Sequence, residues 1–350
     1  MSNKTKADIT TSKVVATMNT GITPAGLAIT PDGRFAYVAN NNNYGLTGED
    51  SVTVLDLSNQ TVLTTIDNTN FNQPYTVTID AKGTYAYVTN SNFSNVSIIE
   101  IATNNVVNII SGFDGPSGFA ITPDGSKAYV NNYGAPGGKG SGNGNSVSVV
   151  DLKTNTITKT TPVGLAPASL AMSPDGKFCY VINYGNGIFN NASISVIETS
   201  DNVVAHTISQ IGLFGPFAIA ITPNGKFAYI TNFGSNNFVP IGKHVLVVDL
   251  KSKQVVSTIQ VGIQPSGIAI TPDGRYACVS NYNTLYAGSN YSNLTAGQGT
   301  VNIIDIATNT LVPSTILVGQ SPDAIAISPN GKFAYVTNFT SNTVSVIDLA

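Results

Sequence analysis

Any reaction run by this chain would fall to very few side chains: Asp323, Asp114, Lys243 and His244. An acid beside a histidine or lysine is the least that proton transfer to a substrate requires, and a lactonase-like or lyase-like step could be built from that minimum in a pocket. The stock behind these four is thin. Two histidines, 16 lysines and arginines and 19 acids are spread over 350 residues, so only 10% of the chain is charged. His206 lies in an alternating apolar segment that reads as an outer strand, and His244 stands alone beside Lys243. Neither a metal centre of several histidines nor a histidine-based triad can be assembled from them. No catalytic residue, metal ligand or cofactor is therefore assigned, and the balance leans against an enzyme.

Other classes are narrowed by the same numbers. A net charge of -3 gives no footing for nucleic acid or an anionic membrane surface. No run of 18 apolar residues is present, so no membrane insertion is expected. The first residues, Met-Ser-Asn-Lys-Thr-Lys, carry no apolar leader. Cys179 and Cys278 each replace one residue of a repeated strand, in units that are not neighbours, and are expected to be two inert core thiols.

Most of the acids belong to a repeat, and the repeat supplies the elements that must position everything else. Seven copies begin at Pro24, Pro74, Pro116, Pro167, Pro216, Pro265 and Pro322, spaced 50, 42, 51, 49, 49 and 57 residues apart. Each runs from that proline through an apolar stretch and a turn, Pro-Asp-Gly or Pro-Asn-Gly in most copies, into a version of Ala-Tyr-Val-x-Asn. In the fifth copy the turn is Pro223-Asn224-Gly225, where proline presets the first corner and glycine takes a positive φ. Period-2 alternation before and after it, and twice more before the next copy, predicts four antiparallel strands in about fifty residues and no helix. Asp32, Asp124, Asp175, Asp273 and Asp80 fall in the first turns. Asp56, Glu100, Asp151, Glu198, Asp249, Asp305 and Asp348 hold one equivalent place at the end of each third strand.

The ends of the chain decide between an open array and a ring. The seventh copy stops one strand short, at Ile347-Asp348-Leu349-Ala350, and the missing strand is found within residues 11–20. The reading is an all-β, seven-bladed β-propeller spanning residues 1–350 as a single unit, its last blade closed by the N-terminal strand. Closure removes the exposed edges that an open stack must cap.

Tyr-Val-Thr-Asn stands at 87–90 and 335–338, with close variants in the other five copies. On these residues the chain resembles the YVTN-repeat β-propeller family over nearly its whole length. That family is similar to surface-layer proteins and to bacterial surface or secreted proteins, with propeller lactonases of the 6-phosphogluconolactonase type as more distant relatives. The resemblance implies the fold and an extracellular or cell-surface location, the alternative being cytoplasmic. A lactonase-like set of His, Arg and Glu inside the channel finds no match here, because the inner strands carry small residues such as Gly26, Ala28, Gly267 and Ala269.

Function is sought where copies diverge. The loop between second and third strands is short in copies 2 and 7 and long in the others, which elaborates one face and leaves the other uniform. Aromatics follow the motif Asn on that face, including Tyr44, Phe93, Tyr133, Tyr184, Phe233, Tyr282 and Phe339. Tyr75, Phe217 and Asp323 follow the initiating proline and vary among copies. Aromatic rings with amides and a carboxylate suit a glycan or peptide. The ligand-binding candidates are Tyr75, Tyr133, Tyr184, Phe217, Phe233, Tyr282, Asp323 and His244. They carry the expectation of a non-enzymatic, monomeric surface or secreted propeller that binds a carbohydrate or protein ligand. The alternatives are a lactonase-like or lyase-like enzyme with a pocket on this face, and a structural surface-array module.

Overall fold

Each repeat folds on its glycine. Gly33, Gly83, Gly125, Gly176, Gly225, Gly274 and Gly331 take φ between 67 and 72°, the left-handed conformation that reverses the chain between first and second strands. The computed structural model describes residues 8–42, 50–134, 144–185, 191–209, 212–234, 241–286 and 294–349. In the first blade the strands are Pro24–Ile29, Phe35–Asn40, Ser51–Asp56 and Thr61–Asp67, hydrogen-bonded in that order. Blades 2 to 6 open with Pro74–Ile79, Pro116–Ile121, Pro167–Met172, Pro216–Ile221 and Pro265–Ile270 and repeat the pattern. Blade 7 takes its outer strand from the other end of the chain: Lys13–Asn19 pairs antiparallel with Thr343–Asp348, Lys13 opposite Asp348 and Asn19 opposite Thr343. Successive inner strands contact one another all the way round, Pro322–Ile327 meeting Pro24–Ile29. The chain is an all-β, seven-bladed propeller with four antiparallel strands per blade and a closed ring.

The repeated motif is inter-blade adhesive. Its tyrosine crosses to the next blade: Tyr37 donates to Asn104 Oδ1 at 2.5 Å, Tyr229 to Asn309 Oδ1 at 2.5 Å, and Tyr129 to Asn202. Those three asparagines sit at φ 56 to 58°, a turn conformation that Asn tolerates well. Its Thr or Ser joins two inner strands. Thr337 Oγ1 accepts from Ala324 N at 2.9 Å in its own blade and donates to Ala25 O at 2.7 Å in the next. Its final Asn donates to hydroxyls of the third strand, as Asn40 does to Ser51 and Thr53 at 3.0 and 2.9 Å. Between these polar links the blades stack through buried Val, Ile and Ala, with Cys179 and Cys278 enclosed as free thiols. Burial pushes the Cys278 thiol up to about 12 and Cys179 higher still, so both stay protonated and unreactive.

Three departures from the sequence reading are small. The third strand of blade 5 begins at Ile241 rather than at His244, and the outer strand of blade 6 runs 11 residues, Thr310–Gln320. An added hairpin pairs Thr284–Tyr286 with Leu294–Ala296 inside the long loop of blade 6, where three-residue strands are too short to give a periodic signal. Of the other long loops, residues 43–49, 135–143, 186–190 and 235–240, with Tyr44 and Lys139, lie outside the described residues.

Candidate functional site

The loop face is organised by the residue before each initiating proline. Thr23, Gln73, Gly115, Ala166, Gly215, Gln264 and Ser321 all take φ between 50 and 55°. That geometry turns each carbonyl toward the residue after the motif Asn, whose N–H it accepts: Tyr133 N to Gly115 O at 3.1 Å, Phe233 N to Gly215 O at 3.0 Å, Tyr282 N to Gln264 O at 2.9 Å. The same bond forms at Asn41, Ser91, Tyr184 and Phe339. In blades 1 and 2 the side chain then reaches the next blade's proline carbonyl, Asn41 to Pro74 O at 3.1 Å and Ser91 to Pro116 O at 3.0 Å. In blades 3 to 7 the place is taken by a ring.

Those rings converge. Phe217 and Phe233 lie 5.3 Å apart by ring centroid, Phe233 and Tyr282 6.0 Å in an edge-on arrangement, and Tyr282 and Phe339 6.3 Å. They form a continuous aromatic wall from blade 5 to blade 7. Tyr75 faces it from blade 2. Its phenol is held well above its ordinary range, first by burial and then by the charges of Asp323, Tyr133 and Tyr282. These groups come from blades 2, 7, 3 and 6, and in a seven-fold ring side chains from such distant blades meet only near the axis. Tyr75, Tyr133, Phe217, Phe233, Tyr282 and Asp323 therefore share one site, the mouth of the central channel on the loop face.

Asp323 is the chemically distinctive member. Its backbone is clamped by blade 6, whose Ser280 and Ser266 hydroxyls donate to its carbonyl at 2.6 and 3.0 Å. Gly267 makes the approach possible, since a Cβ there would lie 2.5 Å from that same oxygen. The residue keeps only part of its surface open, and burial raises its carboxyl to about 7, with no cation acting to lower it. The acid is poised to exchange a proton near neutral pH, a property concentrated at functional sites.

The remaining candidates separate from this group. Tyr184 is half-buried and donates to Gly234 O at 2.9 Å, bracing the strand that carries Phe233. His244 is exposed, paired between Asn232 and Gln260 on the third strand of blade 5, and among the described residues no hydrogen bond ties it to the mouth. Its presence alters blade 5 locally. With His244 and Leu246 where other blades place hydroxyls or amides, Asn232 instead donates to Gly212 O at 3.1 Å and accepts from Phe214 N at 2.6 Å. Phe93 is 46% exposed and does not occupy the ring position, which in blade 2 belongs to Ser91. Asp114 is exposed on the link into blade 3. The sequence reading left Phe339, Ser266 and Ser280 out of the site. The substitution of Ser280 for the motif Thr was the available signal for the last.

No group of three or more His, Cys, Asp or Glu among the described residues is placed to hold a metal. No described helix is long and apolar enough to cross a membrane. Two surface hollows lie off the axis. One of about 340 Å³ in the seam of blades 6 and 7 includes Val14, Leu317 and Ser345. The other, about 430 Å³ on the turn face, includes Asp32, Arg34 and Tyr37. The first is lined by no titratable side chain, and in the second Asp32 and Tyr37 are already bonded within the scaffold.

Comparison with known proteins agrees with this architecture. The sequence profile of the family described as "Lactonase, 7-bladed beta-propeller" matches residues 3–108 and 212–350. The chain is 26% identical over 133 residues to the seven-bladed beta-propeller protein Rv1057 of Mycobacterium tuberculosis, covering 38% of this chain and 31% of that protein. It is 27% identical over 168 residues to the protein YncE of Salmonella typhi, covering 47% of this chain and 42% of YncE. These matched segments thus span well under half the length of either relative. Among solved structures, Kuenenia stuttgartiensis hydrazine synthase superposes with a TM-score of 0.77 over 99% of both chains at 22% identity, a likeness of fold.

Proposed function

Because the chain belongs to the lactonase family of seven-bladed β-propellers, with its variable residues gathered at one axial mouth, we propose that it is a carbohydrate-binding propeller. The observation that carries this reading is the convergence of Tyr75, Tyr133 and Tyr282 with Asp323 beside an aromatic wall. Aromatic faces stack on the C–H faces of sugar rings, and a carboxylate at the same mouth accepts from sugar hydroxyls. The scarcity of histidine and arginine and the uncharged polar composition favour binding over turnover. The YVTN-type repeat and the Asn- and Thr-rich surface support an address at the cell surface or outside the cell, as a monomer. Glycan-array binding by purified protein, followed by isothermal titration, tests this. Phe217→Ala with Tyr282→Ala should remove binding while leaving the melting temperature within a few degrees, and unchanged affinity in that pair sinks the reading.

One observation favours a second reading, hydrolysis of a lactone. A carboxyl held near 7 has the proton affinity of an efficient general base. Asp323 would take a proton from water as its oxygen attacks the lactone carbonyl. It would return that proton to the ring oxygen as the C–O bond breaks, leaving a hydroxy acid. A sugar-lactone screen decides: turnover reduced at least about 100-fold by Asp323→Asn supports it, and turnover indifferent to that change removes Asp323. Ordered self-assembly of purified protein would instead favour an array module.

A further inference from the structure

We propose that the axial mouth takes its ligand by a cationic ammonium group, with Asp323 as counter-charge and the rings of Phe217, Phe233, Tyr282 and Phe339 as walls. This rests on the mouth being the binding site and specifies what the bound carbohydrate carries: an amino group left unacylated.

Three independent observations point the same way. The first is the wall itself. Rings from three consecutive blades stand 5.3 to 6.3 Å apart, at interplanar angles of 31, 64 and 50°, so they form a tilted row of faces and edges rather than a parallel stack, with Phe233 buried behind the others. Aromatic faces attract an organic cation through the ring quadrupole, and the attraction strengthens where water is excluded. The second is the missing partner. Asp323 keeps only part of its surface open, and burial alone acts on its carboxyl; no basic side chain offsets that burial. The phenols of Tyr75, Tyr133 and Tyr282 are the titratable groups grouped with it, and Tyr75 stays neutral far above physiological pH. A neutral sugar hydroxyl would leave the buried charge uncompensated, whereas an ammonium supplies it.

The third observation is the distribution of charge between the two faces. Arg34, Lys177, Lys226, Arg275 and Lys332 all follow first turns, and four of them lie over the adjacent ring at 4.9 to 5.0 Å, which fixes them on the turn face. On the loop face, among the described residues, Asp50, Asp114 and Asp323 stand against the exposed Lys243 and its neighbour His244. An approaching cation meets a favourable field there. An inorganic cation is a poor fit, because calcium or magnesium needs six or more oxygens and the walls are carbon.

The shared chemistry, an ammonium, has two sources, an amino sugar or a modified lysine, and the experiment separates them. Binding is measured by titration calorimetry at pH 6, 7 and 8 with three probes. These are an N-trimethylated glucosamine oligosaccharide, whose charge does not change with pH, the same oligosaccharide N-acetylated, and a trimethyllysine peptide. The trimethylated sugar is expected to bind at least tenfold more tightly than the acetylated one at pH 8. Its affinity should rise roughly tenfold from pH 6 to 8 as Asp323 ionises. Asp323→Asn should erase both the preference and the pH dependence, and Phe217→Leu, at a half-exposed ring outside the core, should weaken the charged probe selectively. Equal affinity for charged and acetylated sugars overturns the ammonium assignment while leaving the carbohydrate reading intact. Binding of the peptide but of neither sugar keeps the ammonium and overturns the carbohydrate. Binding of none of the three overturns both.

Discussion

At the turn face, Asp32, Asp124 and Asp175 each accept a hydroxyl from the residue two before and a backbone N–H from the residue two after, at 2.5 to 3.1 Å. At the loop face Asp323 has its carbonyl held by two serines while its carboxyl gains no compensating cation. The first three are drawn below the usual carboxylate range, chiefly by the hydroxyl bond, Asp124 to about 2; the last is lifted to about 7 by burial. The same side chain stabilises the scaffold in one place and opposes it in the other. A propeller assembled from one repeat needs its turn acids for folding alone. It has no structural need of an acid after the proline of blade 7, where the other blades carry Ala, Tyr, Ser or Phe. An acid that weakens the fold is what a binding site tolerates, in keeping with the proposed use of the mouth.

The largest effect should come from breaking the ring that holds both faces. Blade 7 carries Asp323 at one end, and at the other Pro329 packs toward Gly33 of blade 1. Deleting residues 1–20 strips the outer strand from Thr343–Asp348 and exposes an edge. The truncated chain should aggregate or melt far lower in a thermal scan. A melt matching the full chain would show that the clasp contributes little.

Next in size is the mouth acid. Below about pH 4 Asp323 is protonated in both folded and unfolded chains and contributes nothing. Between about 4 and 7 the folded chain retains a proton that the unfolded chain has lost, so stability falls as pH rises and levels off above 7. Asp323→Asn should therefore raise stability at pH 8, by at most about 4 kcal/mol for a shift of this size, and leave it unchanged at pH 4. Denaturant titrations at the two pH values read this directly, and a loss of stability at pH 8 would contradict the assignment.

The turn acids should behave in the opposite sense. Their depressed proton affinity adds stability above pH 4 that fades as pH falls toward 2. Asp124→Ala, which leaves Thr122 and the Ser126 N–H without their acceptor, should cost about 1 kcal/mol at pH 7. At pH 2 the cost should nearly vanish. Equal destabilisation at both values would assign the loss to backbone conformation instead.

The smallest effect sharpens the turn face alone. Prolines at 31, 123, 174, 223, 272 and 329 each lie against the turn glycine of the following blade. Gly125 has no neighbour within 4 Å, because blade 2 carries Ala81 where the others have proline. Ala81→Pro should restore the contact and stiffen the unfolded chain, adding about 0.5–1 kcal/mol. No gain in the chemical denaturation midpoint would mean that the stacked proline is incidental.

How much of this was legible beforehand differs between the faces. The repeat announced the blades, the turns and the clasp, because strand alternation and Pro-Asp-Gly chemistry are local and recur seven times. The turn acids were legible for the same reason. The mouth was legible only as a set of departures from the repeat: Tyr75, Phe217 and Asp323 stood out by varying after the initiating proline. Nothing in their spacing could separate them from His244, which also departs from the pattern yet stays exposed on blade 5.

The amino-acid sequence alone determined the blade, because strand alternation and the chemistry of the first turn are local and recur seven times. Tertiary structure alone decided which irregular side chains meet. Residues 75, 133, 217, 282 and 323 are separated by tens to hundreds of positions, and only closing seven blades around an axis brings them to one opening. Burial there is collective: the acidity of Asp323 is set by desolvation in the assembled ring, and no local segment encodes it.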